Sequence, residues 1–324
     1  MELMKKMPAA ITALLMLFFT TVAAQPVTSL KITILSTMLA DEGHGEWGFS
    51  ALVEADSSRI LFDAGAYPET VAENLQELGL SLDGVTHIVL SHSHDDHTGG
   101  WRSLRKKFIA SVATADVGDG FFMPRVKAKL LAGNLLTDST DAYNLHADSL
   151  WYTNTGGRFN VLKTFTKIYP GIYLTGPVPR KHPEKNYSKG WLLKTDTGYA
   201  EDNVPEDMSL VIETVKGWVL LSGCGHSGII NTIDYIKEKT GAKKILAAVG
   251  GFHLFSADDK TIEWTASELK KDGLSYFIGA HCTGINAVYD IRRLAGLSRS
   301  TAVVGAVGAV FDINKGILPG RIAK

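Results

Sequence analysis

The stretch Thr86-His87-Ile88-Val89-Leu90-Ser91-His92-Ser93-His94-Asp95-Asp96-His97-Thr98-Gly99-Gly100 decides how this chain is read. Thr86 to Leu90 is β-branched and aliphatic, as a short buried strand should be, and it runs directly into His92-x-His94-x-Asp96-His97. Imidazole nitrogen and carboxylate oxygen are the donors that zinc and related divalent cations prefer. In extended backbone His92 and His94 point to the same side and can share one cation. The turn that follows swings Asp96 and His97 toward a second cation a few ångströms away. Asp96 is therefore expected both to bind metal and to orient the attacking water, which makes it the catalytic candidate. Gly99 and Gly100 are expected to let backbone pass close to the metals.

Outward from this stretch, the same arrangement recurs. Upstream, Leu30–Ser36, Phe49–Glu54 and Arg59–Phe62 read as successive strands joined by hairpins, the last ending in Asp63-Ala64-Gly65. A helix follows, with Pro68 near its start, Val71, Leu75 and Leu78 on one face, and Gly79 as its stop. Downstream, Ile172–Thr175 is a short strand, and Met208–Thr214 with Gly217–Leu221 forms a hairpin that ends in Ser222-Gly223-Cys224-Gly225-His226. Ile229, Ile233 and Ile236 mark the next helix. Lys244–Val249 leads into Gly250-Gly251-Phe252-His253, and a helix follows over Asp258–Lys271. Ser275–Gly279 leads into Ala280-His281-Cys282-Thr283-Gly284, and a helix follows over Ile285–Leu294. Four times a strand delivers histidine and glycine at its C-terminal end before a helix. The stretch Phe121–Tyr152 reads as helix and loop, and Trp151, Tyr152 and Phe159 are expected to pack against the scaffold rather than wall a pocket.

Six residues cannot close two metal sites, so His226 and His281, each at a strand end with glycine close by, are the expected additional ligands. Cys224 is either a thiolate ligand or a small buried residue. His253 is placed to touch substrate or a metal-bound oxygen. Asp63 is expected to orient a ligand histidine from behind. Arg180 is a candidate for an anionic substrate group, against the alternative of a solvated basic turn. Cys224 and Cys282 are expected as two free thiols in preference to a disulfide.

The composition narrows the class. The chain has 324 residues, 45% hydrophobic and 21% charged, with a net charge of −1, which excludes disorder and gives no field to gather nucleic acid. Two cysteines without Cys-x-x-Cys exclude a disulfide scaffold, a zinc ribbon and a thioredoxin-type centre. Residues 1–24 read as a secretory signal: Lys5 and Lys6, an apolar run from Ile11 to Val22, then Val22-Ala23-Ala24. Residues 25–324 then form one exported domain, periplasmic or secreted, with no stable membrane insertion once the signal is removed. The expected partner is a small-molecule substrate, not nucleic acid.

His92-x-His94-x-Asp96-His97 preceded by Asp63-Ala64-Gly65 resembles the metallo-β-lactamase superfamily. The resemblance implies an α/β (α+β) fold, a four-layer αββα sandwich with a dinuclear site at one edge. It puts His92 and His94 on the first metal and Asp96, His97 and His281 on the second. In many members an aspartate bridges the two ions; Ser222-Gly223-Cys224 stands in its place here, so Cys224 or His226 must substitute. Thr175-Gly176-Pro177-Val178-Pro179-Arg180, Gly223-Cys224-Gly225-His226, Gly250-Gly251-Phe252-His253 and His281-Cys282-Thr283-Gly284 resemble the branch of dihydropterin-methyl-ribofuranosylaminobenzene phosphate synthases. The leading expectation is hydrolysis of an ester, phosphoester or related substrate by two divalent cations, foremost Zn²⁺, with Mn²⁺ or Fe²⁺ as alternatives. A transferase acting on a phosphorylated pterin-type substrate and a non-catalytic metal-binding exported protein are the competing readings.

Overall fold

The computed structural model describes residues 25–131, 134–143, 145–187 and 189–323. The expected leader, residues 1–24, lies outside them. The chain opens with an antiparallel meander, β1 (Leu30–Ser36), β2 (Ser50–Ala55) and β3 (Ser58–Phe62). Helix α1 (Thr70–Glu77) crosses over to β4 (Val85–Leu90), parallel to β3. The single turn α2 (Asp95–Thr98) and α3 (Trp101–Lys107) lead to β5 (Thr114–Gly118). An arm of β6 (Arg125–Leu131) and β7 (Asn134–Tyr143) precedes α4 (His146–Asn154) and β8 (Arg158–Leu162). Then come β9 (Thr166–Tyr169), β10 (Ile172–Leu174), β11 (Trp191–Thr195), β12 (Gly198–Glu201), β13 (Leu210–Thr214) and β14 (Gly217–Ser222). The remainder alternates as α5 (Ile229–Thr240), β15 (Ile245–Gly250), α6 (Asp259–Lys271), β16 (Tyr276–Gly279), α7 (Ile285–Leu294) and β17 (Ala302–Val304). It closes with β18 (Val310–Asp312) and β19 (Gly316–Leu318).

Two sheets carry the fold, in the orders β19-β18-β1-β2-β3-β4-β5-β8 and β17-β16-β15-β14-β13-β10-β9. Alternation along each strand explains why they stack. Ile60 and Phe62 face the other sheet, where they meet Ile212, Leu221 and Val249, while Leu61 between them faces outward. The outward faces are closed by helices. Val71, Leu75, Trp101 and Leu104 cover the first sheet; Ile233, Ile236, Ala266, Leu269 and Ile291 cover the second. The result is the four-layer αββα sandwich. Among the described residues no helix is long and apolar enough to cross a membrane.

The expected strands and helices around the histidine stretches agree with the structure to within a residue or two. The stretch Phe121–Tyr152 does not. It holds β6 and β7, which pair with β11 and β12 in a third, four-stranded sheet of order β12-β11-β6-β7. In β7 the polar run Thr137-Asp138-Ser139-Thr140-Asp141 carries none of the alternation that marks a half-buried strand, whereas β6 does alternate, with Val126, Ala128 and Leu130 between Arg125, Lys127 and Lys129. Trp151 and Tyr152 do sit on a helix, α4, and the Tyr152 ring packs on Trp101 and Phe159 at 4.8 Å from each, as scaffold packing requires.

Candidate metal centre

Four strand ends converge on one edge of the sandwich. β14, β15 and β16 run parallel, so their C-terminal ends lie side by side and bring up Cys224 and His226, His253, and His281 with Cys282. β4 brings His92 from the other sheet, with His94 at the start of α2 and Asp96 and His97 inside it. Gly99 and Gly223 permit the convergence. A side chain on Gly99 would collide with the carbonyl of Ala66, and one on Gly223 with Ser91 and Asp63. The close approach at Gly99 and Gly100 is thus to the loop Ala64–Ala66, and the expected approach to metals is not what those glycines serve.

The donors form overlapping groups. Asp96, His97, Cys224 and His281 have donor atoms all within 4.8 Å of one another, as do His92, Cys224 and His226, and likewise His92, His94 and Asp96. Cys224 belongs to the first two groups, in the place where the resemblance expects a bridging aspartate. Its sulfur lies 3.1 Å from His97 Nε2. The Nε2 atoms of His92 and His226 face each other at 3.2 Å, and His281 Nε2 stands 3.2 Å from Asp96 Oδ2. The His94 ring lies 4.6 Å from that of His92 and 4.9 Å from that of His226.

Neighbouring groups fix which ring nitrogen is free. His97 Nδ1 donates to Asp63 Oδ2 at 2.7 Å, leaving Nε2 for the centre. Asp63 also accepts from the Ser91 amide and hydroxyl, so the Ser91 oxygen accepts from His92 Nδ1 at 3.0 Å. His226 Nδ1 donates to the Asn186 carbonyl at 2.5 Å. In all three the inward nitrogen is Nε2, the arrangement that partners behind a ligand histidine impose. Burial, then the adjacent imidazoles, hold His92 and His226 well below the usual histidine range, so both are neutral with a lone pair to offer. Burial acts on His97 in the same direction, but the Asp63 and Asp96 carboxylates outweigh it and lift this residue to about 9. Burial would raise Asp96, yet His97 and His281 hold its carboxyl well below the ordinary range.

These residues fit a cation better than they fit one another. Two imidazole lone pairs facing at 3.2 Å repel, and buried nitrogens without partners, such as Nδ1 of His253 and of His281, carry a desolvation penalty. A metal–nitrogen bond of about 2.0–2.1 Å and a metal–sulfur bond of about 2.3 Å place two donors of one ion up to about 4–4.6 Å apart, and the donors here are gathered at that scale, within 4.8 Å of one another. The backbone is strained at the same places. Asp63, His253 and His281 have φ of 56°, 46° and 45°, a left-handed conformation worth about 1–3 kcal/mol for a residue with a side chain.

The centre floors a cavity of about 260 Å³ whose lining includes Trp47, Asp95, Trp191, Asp202, His253 and Phe255. Among the described residues lining it there is no lysine or arginine. Arg180 is not among them: its guanidinium donates to the carbonyls of Asn203 and Val204, behind the wall. Cys224 and Cys282 are free thiols, 3.1 Å apart at the sulfurs.

Sequence reasoning missed several residues that shape this site. Glu206 accepts from the Ser93 amide and hydroxyl, between His92 and His94, and from buried Arg125, which also binds Asp202. These partners are 77 to 113 residues apart, so no local pattern could reveal them. Trp47 left a trace: it stands between Gly45 and Gly48 in a connection, 48% exposed, with its ring 5.0 Å from that of His281.

A profile described as the metallo-beta-lactamase superfamily matches residues 48–179. A 7,8-dihydropterin-6-methyl-4-(beta-D-ribofuranosyl)-aminobenzene-5'-phosphate synthase of Methanocaldococcus jannaschii is 33% identical over 276 residues, covering 81% of this chain and 90% of that protein. The chain belongs to the metallo-β-lactamase superfamily. Within it, the fold matches the solved structure of a metal-dependent hydrolase with a TM-score of 0.68 at 22% identity, over 88% of this chain and 99% of that one. Zn²⁺-bound PqqB from Methylobacterium extorquens matches with a TM-score of 0.50 at 14% identity, over 87% and 100%. Metallo-β-lactamase folds generally bind metal ions, and superfamily members are generally enzymes.

Proposed function

We propose that the protein is an exported hydrolase with a dinuclear metal centre. His92, His94 and His226 would hold one cation and Asp96, His97 and His281 the other, with Cys224 between them. The observation that carries this reading is the inward-facing Nε2 atoms of His92, His97 and His226, each ring fixed from behind through Nδ1, with the Cys224 sulfur 3.1 Å from His97 Nε2 and the His92 and His226 nitrogens 3.2 Å from each other. Bound there, two divalent cations, foremost Zn²⁺, supply the Lewis acidity that makes water a nucleophile at neutral pH. The chain's own contribution is positional. Asp63 and Ser91 lock His97 and His92, Asn186 locks His226, and Asp96 stays ionised with its carboxylate toward the cavity. The walls from Trp47, Trp191 and Phe255 limit water around the substrate. Export rests on Lys5, Lys6 and the apolar run to Val22.

Hydrolysis of an uncharged ester, lactone or amide is favoured over work on a phosphorylated metabolite by the lining, which offers Asp95 and Asp202, while the arginine that borders it, Arg125, is already paired with Asp202 and Glu206. The transferase reading is supported by the name of the 33%-identical relative. Product analysis separates the two. The metal-loaded protein is incubated with esters, lactones, β-lactams and phosphodiesters, and in parallel with pterin and phosphoribosyl substrates. Turnover of the first group supports hydrolysis; carbon–carbon bond formation in the second overturns it.

A further inference from the structure

A third donor group borders the proposed pair: Cys224 together with Cys282 and His253, the last two used by neither cation, with all three donor atoms within 4.8 Å of one another. Both sulfurs are buried and 3.1 Å apart, beyond the roughly 2.05 Å of a covalent disulfide. The His253 amide donates to the Cys282 sulfur at 3.2 Å, an arrangement that suits a thiolate. His253 Nδ1 is buried with no hydrogen-bond partner, and the residue is held at a φ of 46° on the cavity wall. Backbone strain at His253 thus holds a ring whose Nδ1 is unpartnered and which brings a nitrogen within 4.8 Å of two sulfurs. Hard cations such as Mn²⁺ and Mg²⁺ prefer oxygen donors, whereas two thiolates and an imidazole select a soft one.

We propose that Cys224, Cys282 and His253 form a sulfur-rich subsite that takes a soft cation, with Cys224 shared between it and the histidine-held pair. Each thiol gives its proton to solvent as the cation binds, and no redox step is involved. The inference rests on the reading of this edge as a metal centre.

The test is anaerobic titration of the reduced, chelator-stripped full chain with Co²⁺ and with Cd²⁺. The near-ultraviolet thiolate-to-metal band counts sulfurs, and the visible cobalt bands report the histidine-held ions. In the wild type the band has the intensity of two sulfur ligands, and Cys282→Ser lowers it to that of one while the visible bands persist. His253→Gln weakens Cd²⁺ binding roughly tenfold or more. The cadmium magnetic resonance of the wild type provides a check that needs no variant: it falls in the two-sulfur range. A band unchanged by Cys282→Ser, a one-sulfur resonance, or a Cys224–Cys282 disulfide in the protein as isolated overturns the subsite and leaves the dinuclear reading standing. Absence of both sets of bands overturns both.

Discussion

Asp63 Oδ2 accepts a hydrogen bond from His97 Nδ1 at 2.7 Å, with both side chains wholly buried and 34 residues apart in sequence. The same carboxylate takes the Ser91 amide at 2.7 Å, so one side chain holds the end of β4 and the ring of His97 together. Replacing Asp63 by Asn keeps the shape and removes the charge. Zn²⁺ affinity, measured by chelator competition, should fall about 10- to 100-fold with the circular dichroism spectrum preserved. Affinity within twofold of the wild type would show that Asp63 supports the fold alone.

Cation binding should release protons. His97 is lifted to about 9 by Asp63 and Asp96, so near neutral pH it carries a proton that a cation must displace. Burial, reinforced by Cys282, pushes the Cys224 thiol up and adds a second proton. Affinity therefore rises with pH toward about 9 and falls as His97 protonates. Calorimetry in buffers of different ionisation enthalpy measures the count; no proton release near neutral pH would exclude both groups as ligands.

Glu184 gives stability a pH dependence of its own. Burial raises its carboxyl to about 7 from an ordinary 4.5, against hydrogen bonds from the Asn231 and Ile230 amides at the start of α5. The fold thus favours the protonated form, and stability should decline as pH rises from about 4.5 to about 7. Glu184→Gln removes this decline: relative to the wild type it gains about 2–3 kcal/mol between about pH 5 and about pH 8 in urea unfolding. A constant difference between the two proteins would refute the assignment.

Arg125 is held by Asp202 and Glu206 with all three residues buried, and Glu206 in turn holds Ser93 between two of the histidines. Arg125→Met leaves two buried carboxylates without their partner, which should destabilise the protein by about 3–5 kcal/mol. A loss below about 1 kcal/mol in denaturant unfolding would mean that water reaches the pair.

The order of strands and helices was legible because buried strands read as short apolar runs and helices repeat apolar residues at helical spacing, as in Val71, Leu75 and Leu78, whereas the αββα layering came from the resemblance of the histidine motif. The gathering of His92, His94, Asp96, His97, His226 and His281 was legible because each sits at or just past the end of a strand. The third sheet was not, since β7 is largely polar and the short alternation of β6 does not reveal its pairing with distant β11. Nor was Glu206, whose ties to Ser93 and Arg125 span 113 and 81 residues. Of the two readings of Arg180, an anion contact or a basic turn, the hydrogen bonds to the carbonyls of Asn203 and Val204 fit the second better.

The central claim is that two cations sit on either side of Cys224. Crystals of the zinc-loaded protein, measured at the zinc absorption edge, test it most directly. Two anomalous peaks are predicted, one contacted by His92, His94 and His226 and the other by Asp96, His97 and His281, both lost in His92→Ala/His281→Ala. No peak at this edge of the sandwich, or peaks unaltered by the double substitution, would contradict the account.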